Sequence, residues 1–288
     1  LGPDGKIYGI PCNSTSVLII DPVAKTADTT TIAGLSADTD KWLGGVLGPD
    51  GKIYGIPFNS TSVLIIDPVA KTADTTTIAG LSADTGKWYG GVLGPDGKIY
   101  GIPRNSTSVL IIDPVAKTAD TTTIAGLSAG TSKWYGGVLG PDGKIYGIPY
   151  NSTSVLIIDP VAKTADTTTI AGLTGTYKWI GGVLGPDGKI YGIPCNSTSV
   201  LIIDPVAKTA DTTTIAGLSA DTNKWYGGVL GPDGKIYGIP YNSTSVLIIA
   251  PVAKAADTTM FAGLADTGKW FGGVLGPDGK IYGIPYNS

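Results

Sequence analysis

A block of about 46 residues is written six times in this chain and begun a seventh time. The copies start at Leu1, Leu47, Leu93, Leu139, Leu184 and Leu230, and the pattern restarts at Leu275. Each reads LGPDGKIYGIPxNSTSVLIIDPVAKTADTTTIAGL, nearly unchanged, and runs on to a variable stretch ending in KWxGGV. Self-similarity at a fixed period of this length marks a propeller or a solenoid, in which each unit buries its apolar face only against its neighbours.

The second copy shows how one unit folds. Gly44 to Leu47 reads as a short strand A, and Pro49-Asp50-Gly51 as a tight turn with Pro early and Gly at the left-handed position. Lys52 to Ile56 is strand B, and Pro57 cannot donate to a ladder. Asn59-Ser60-Thr61 turns into strand C, Ser62 to Ile66, which is apolar on both faces and so should be covered on both. Asp67 to Lys71 turns again, and Thr72 to Ala79 reads as an outer strand D rich in threonine. No segment has a 3.6-residue period, and Gly and Pro recur every few residues, which argues against helix. A β-solenoid is the rival, but it would not need a hairpin turn after every strand. The spacing therefore predicts an all-β chain, a six-bladed β-propeller with four antiparallel strands per blade. Residues 1–288 form one domain in this reading, and the partial seventh copy, 275–288, supplies a strand for closure.

Asp50-Gly51-Lys52-Ile53-Tyr54-Gly55, followed by Val63 to Ile66 and Asp67-Pro68, resembles the second and third strands of a kelch-type blade. The resemblance covers about half of each repeat. The double glycine, which in kelch blades follows the second strand, here opens the first. The resemblance implies the blade architecture and no binding residues.

The strands expected are six A, seven B, six C and six D. Strand A of the last copy can complete the first blade, which leaves one strand B in excess. That surplus is either Lys6 to Ile10 or Lys280 to Ile284, identical in sequence. The C-terminal copy follows its own strand A through a short turn, so chain continuity favours it. The displaced N-terminal copy is then free to fray or to pair with a neighbouring molecule, a route to self-association.

Differences between copies carry the independent information. The residue after the strand-B proline is Cys12, Phe58, Arg104, Tyr150, Cys195, Tyr241 and Tyr286 in turn. The residue after Trp is Leu43, Tyr89, Tyr135, Ile180, Tyr226 and Phe271, and the D-to-A connection varies at Asp40, Gly86, Ser132, Tyr177, Asn223 and Gly268. Antiparallel alternation puts all three positions at one face of the fold. Phe58, Tyr89, Arg104, Tyr135, Tyr150, Tyr226 and Tyr241 are the candidate binding residues, suited to a glycan or a protein partner. Loop tips that drift for lack of constraint explain the same pattern.

Asn13, Asn59, Asn105, Asn151, Asn196 and Asn242 each open an Asn-Ser-Thr triplet. It is the acceptor pattern for N-glycosylation, which would place the chain outside the cell, and it is also an ordinary turn between strands B and C. The six tryptophans, one per copy, are expected to pack between blades, with sugar stacking as the other use. Cys12 and Cys195 sit at equivalent positions of copies one and five and are expected to stay free thiols. The chain holds no His, Glu or Gln, and Arg104 is its sole arginine. No catalytic triad can form without a base, and no metal or cofactor site is expected. A net charge of −3 gives no basic surface for nucleic acid, and apolar runs such as Val17 to Ile20 are far too short to span a membrane. The chain begins at Leu1 without a signal peptide, as a mature form or a fragment would. The functional expectation is a non-catalytic scaffold that recognises a glycan or protein on its variable face. The alternatives are a structural, self-assembling repeat unit of a larger exported protein, and an engineered symmetric propeller without a ligand.

Overall fold

The computed structural model describes residues 1–286; positions 287 and 288 of the expected seventh copy lie outside the described residues. The chain is an all-β, six-bladed β-propeller. The first sheet holds β1 (Ile7–Gly9), β2 (Leu18–Asp21) and β3 (Thr26–Asp28). The second is a complete blade, β4 (Trp42–Leu47), β5 (Ile53–Pro57), β6 (Leu64–Asp67) and β7 (Thr72–Asp74), in that order across the sheet. Three more follow the same plan: β8 (Trp88–Leu93), β9 (Ile99–Pro103), β10 (Leu110–Asp113) and β11 (Thr118–Asp120); β12 (Trp134–Leu139), β13 (Ile145–Pro149), β14 (Leu156–Asp159) and β15 (Thr164–Asp166); β16 (Trp179–Leu184), β17 (Ile190–Pro194), β18 (Leu201–Asp204) and β19 (Thr209–Asp211). The last complete blade is β20 (Trp225–Leu230), β21 (Ile236–Pro240), β22 (Leu247–Ala250) and β23 (Ala255–Asp257), and β24 (Trp270–Leu275) pairs with β25 (Ile281–Pro285). The tally by type, among the described residues, is six A, seven B, six C and six D.

Neither copy of the surplus strand is displaced. β24 pairs with its chain neighbour β25 (Val274 opposite Tyr282), and β1 pairs with β2 (Tyr8 opposite Ile19). Besides the five four-stranded sheets, the described strands form a three-stranded sheet, β1–β3, and a two-stranded sheet, β24–β25. Continuity does bring β25 onto β24, as the short turn requires, without drawing β2 away from β1.

Side chains set the strand ends. Asp67 Oδ1 accepts the Val69 and Ala70 N–H groups at 3.0 and 2.9 Å, closing the turn after strand C. Strand D was expected to reach Ala79 but stops at Asp74. There Asp74 Oδ1 accepts the N–H groups of Thr76 (2.7 Å) and Thr77 (3.1 Å), an Asx turn that takes the chain out of the ladder. Strand A begins earlier than expected, at Trp42, with a bulge between Trp42 and Gly45. Gly44 is left-handed (φ 79°), and a Cβ there would lie 2.9 Å from Gly90 Cα. The double glycine therefore lets two inner strands approach backbone to backbone.

The chain divides into two compact units. One comprises Leu1–Lys133, Asp159–Ala165 and Gly276–Asp278; the other comprises Trp134–Ile158, Asp166–Leu275 and the residues from Gly279 on. The same core recurs in each. In the first unit, Tyr54, Ile56, Val63, Ile65 and Ile78 of one blade pack on Trp88, Ile99, Leu110 and Ile112 of the next. In the second, Tyr191, Ile193, Val200, Ile202 and Ile215 pack on Trp225, Ile236, Leu247 and Ile249. Each fully buried aliphatic side chain contributes about 1.5–3 kcal/mol. The buried tryptophans pack between blades as expected, and each indole N–H donates to a serine carbonyl, Trp88 to Ser108 and Trp225 to Ser245, both at 2.8 Å.

Candidate functional site

The three variable positions of a copy meet where strand B ends and strand A begins. The Phe58 N–H donates to the Lys41 carbonyl and the Phe58 carbonyl accepts the Lys87 N–H, both at 2.9 Å. The residue after the strand-B proline is thereby threaded between two successive lysines that precede tryptophan. Those lysines are buried (Lys87 is 2 % exposed), and the Lys87 ammonium donates to the Asn59 and Asp84 carbonyls at 3.1 and 2.8 Å. Burial lowers the Lys133 and Lys178 amines to about 8.

In the first unit the site residues are Phe58, Tyr89 and Arg104. Phe58 meets Tyr89 edge to face at 6.5 Å, and the Arg104 guanidinium stands 5.0 Å from the Phe58 ring. The second unit carries a longer cluster. Tyr135 stacks on Tyr150 at 4.0 Å, and Tyr177 meets Tyr150 edge-on at 5.1 Å. Tyr226 lies parallel to Tyr241 at 4.0 Å and 8°, and Phe271 stacks on Tyr286 at 5.3 Å and 24°. Tyr241 and Tyr286 are 5.6 Å apart, which joins the two pairs. Tyr135 and Tyr150 are buried, as is Cys195, whereas Tyr286 is 46 % exposed. Burial, then the neighbouring thiol and phenols, pushes the Tyr150 and Tyr226 hydroxyls well above the usual phenol range. Burial likewise raises the Cys195 thiol to about 12, and burial with Asp40 raises Cys12 to about 11. Both thiols are free.

The Asn-Ser-Thr asparagines tie the turn after strand B to the D-to-A connection of the same copy. Asn13, Asn59, Asn105, Asn151, Asn196 and Asn242 each accept, through Oδ1, the N–H of Asp40, Gly86, Ser132, Tyr177, Asn223 or Gly268 respectively, at 2.7–3.0 Å. Those acceptor-paired positions have φ between 51° and 63°, so the variable D-to-A residue is a left-handed one fixed through its backbone. Its side chain is free to differ for that reason. Asn242 and Asn105 also line two polar grooves, of about 800 and 660 Å³.

Sequence reasoning missed a second repeated network. Tyr54 O–H donates to Asp50 Oδ2 at 2.8 Å, and the Lys117 ammonium donates to both Asp50 Oδ2 and the Tyr54 oxygen at 2.6 Å. Asp96, Tyr100 and Lys163 repeat it in the same unit, and Asp142, Tyr146 and Lys208 in the other. The Asp-to-Tyr spacing of four was visible in every copy; the lysine some 63 residues on was not.

No protein-family model matches the chain, and no curated protein matches it in sequence. Solved structures do. A streptogramin B lyase superposes with a TM-score of 0.81 at 12 % identity over 98 % of this chain and 88 % of its own. The hydrazine synthase of Kuenenia stuttgartiensis gives 0.71 at 18 % identity over 99 % and 91 %. The extracellular domain of a one component system from B. thetaiotaomicron gives 0.71 at 12 %, with 99 % of this chain on 38 % of that one. These likenesses show the fold alone.

They correct the functional expectation. A non-catalytic scaffold for glycan or protein recognition was expected, yet propellers matching nearly the whole chain include a lyase and a synthase. The architecture fixes where strands end and leaves the side chains there open to any chemistry, so it does not mark a non-catalytic scaffold, and at these identities it confers no catalytic role either. The expected variable face also has a different texture, because Tyr135, Tyr150 and Cys195 are packed inside it. The kelch-like label and the alternatives of a self-assembling exported unit or a ligand-free engineered propeller draw no support from these structures.

Proposed function

We propose that the chain binds a flat, uncharged aromatic small molecule against the tyrosine-rich wall of its second unit. The observation that carries this reading is the run of stacked rings, Tyr226 on Tyr241 and Phe271 on Tyr286, with Tyr286 open to solvent. Preformed aromatic stacks offer large apolar area, and their rings lose little freedom when a further ring is added. Phenols held neutral by burial favour an uncharged partner over an anion.

Binding rather than turnover is favoured by the groups at hand. The chain has no histidine. The Tyr150 and Tyr226 phenols and the Cys195 thiol, raised by burial, stay protonated at neutral pH, so none of the three serves as a base or nucleophile there. The Lys178 ammonium is occupied by the Tyr150, Ser152 and Gly175 carbonyls.

Coumarin and 1-naphthol are suitable probes, followed by calorimetry. Saturable binding is expected, weakened about tenfold or more, roughly 1.4 kcal/mol, by Tyr226→Ala or Tyr241→Ala and retained in Tyr226→Phe. Phe58→Ala, in the other unit, should leave it unchanged. An absence of saturation, or indifference to both alanine variants, rejects the reading.

A further inference from the structure

The repeat leaves one apolar surface uncovered. In complete blades, strand C lies so close to strand B that a Cβ on the B glycine would stand 3.0 Å from the leucine Cβ, as at Gly55 with Leu64 and Gly238 with Leu247. β25 carries the same Ile-Tyr-Gly-Ile-Pro but, among the described residues, has no strand on its far side. Over Gly283 lies Trp270 instead, its Cγ and Cδ1 2.9 Å from where a Cβ would be. Beside it opens an apolar groove of about 830 Å³ lined by Ile239, Val246, Phe261, Leu264, Trp270 and Ile281. Phe261 and Met260 are 52 % and 63 % exposed.

The other copies show what such a groove holds. Beside Trp88 and Ile99 sit Leu110 and Ile112, and beside Trp225 and Ile236 sit Leu247 and Ile249, in each case strand C of the same sheet. The fitting occupant is an extended Leu-Ile-Ile-Asp strand. β2 is one, and its partner β1 lies in a segment, Leu1 to Pro11, identical to Leu275 to Pro285. β1 also has no inner strand beside it.

We propose that the β25 edge of one molecule receives β2 and β3 of a second copy in place of that copy's β1. Ile281, Tyr282 and Gly283 would then face Ile20, Ile19 and Leu18, the register now held by Ile7, Tyr8 and Gly9. The ladder lost at β1 is remade with identical residues at β25, and the groove is covered while Ile7, Tyr8 and the side of the donor's core around Trp42 are uncovered, so the exchange is close to neutral and is driven by concentration. The contact is head to tail, and it links copies into closed rings or open chains.

The test is a directed disulfide in chains that also carry Cys12→Ser and Cys195→Ser. A Gly283→Cys chain is mixed with a Leu18→Cys chain under mild oxidation. In the inferred register, with Trp270 turned aside from Gly283, the two Cβ atoms approach as Gly9 and Leu18 do, 3.1 Å for a Cβ built on Gly9, which a small adjustment brings into disulfide range. A covalent heterodimer is expected in the mixture, absent from either variant alone and from Ile281→Cys mixed with Leu18→Cys. Light scattering on the unaltered chain should show mean mass rising with concentration. A chain that stays monomeric at every concentration and gives no heterodimer overturns the inference. So does an internal disulfide formed at high dilution in one chain carrying both cysteines, which would make the occupant its own β2.

Discussion

Asn59 and Cys195 show how much a residue's role depends on a partner far along the chain. Asn59 was readable as a turn former, because its type and position suit that use. Its service to the Gly86 N–H, 27 residues on, was not, since nothing local encodes which backbone donor arrives. Cys195 occupies a position that the alignment of copies marks as variable, yet it is wholly buried. Its thiol, raised to about 12, and that of Cys12, raised to about 11, are almost entirely protonated at pH 8. Both should therefore react with a thiol-specific disulfide reagent far more slowly in the native chain than in urea, with Cys195 the slower because it is the more buried. Equal rates in native and unfolded protein would contradict this placement.

At the scale of the element, strand D is the part most exposed to pH. The Asp74, Asp120 and Asp211 carboxyls are held down to about 2, first by the threonine hydroxyl three residues on and then by further threonine donors. Their folded values lie below the unfolded value of about 3.9, so the stability they confer is complete above about pH 4 and is lost as pH falls toward 2. A series of urea unfolding curves should show a level midpoint from neutrality to about pH 4.5 and a decline below it, smaller in a Thr77→Ala, Thr123→Ala, Thr214→Ala variant. A decline beginning near neutrality would assign the acid sensitivity elsewhere. The element sequence was legible strand by strand because alternation, Pro and Gly are local signals. The end of strand D at Asp74 was not, because an aspartate followed by threonines can either continue an edge strand or cap it. Copy-specific chemistry shows at this scale too. Where Ala250 replaces the usual aspartate, Lys235 reaches Asp233 at 3.7 Å, while Lys189, in the copy before, pairs with Asp204 at 2.8 Å.

For the whole molecule, repetition multiplies small electrostatic effects. Burial, then the aspartate partner, raises the Tyr54, Tyr100, Tyr146 and Tyr191 phenols above their ordinary value. A raised acid stabilises the fold below its unfolded value, about 10 for tyrosine, and that stability is lost as pH rises beyond it. Lys133 and Lys178 act in the opposite sense: held at about 8, they make the fold gain stability between about 8 and 10.4, where the unfolded lysine still binds its proton. Denaturant unfolding across the alkaline range should give a shallow rise above pH 8 and a fall past about 10, the fall reduced by Tyr100→Phe with Tyr146→Phe. A monotonic loss from pH 8 would refute the lysine assignment. By itself the amino-acid sequence determined the period, the strand type and number in each copy and the turn chemistry, since all of these rest on interactions within a few residues. Only the tertiary structure decided that variable aromatics stack on one another in the second unit, that each asparagine ties the turn after strand B to the D-to-A connection of its own copy, and that β25 keeps an open edge among the described residues. Those outcomes depend on which distant groups meet, and identical copies give the local sequence no means of choosing among them.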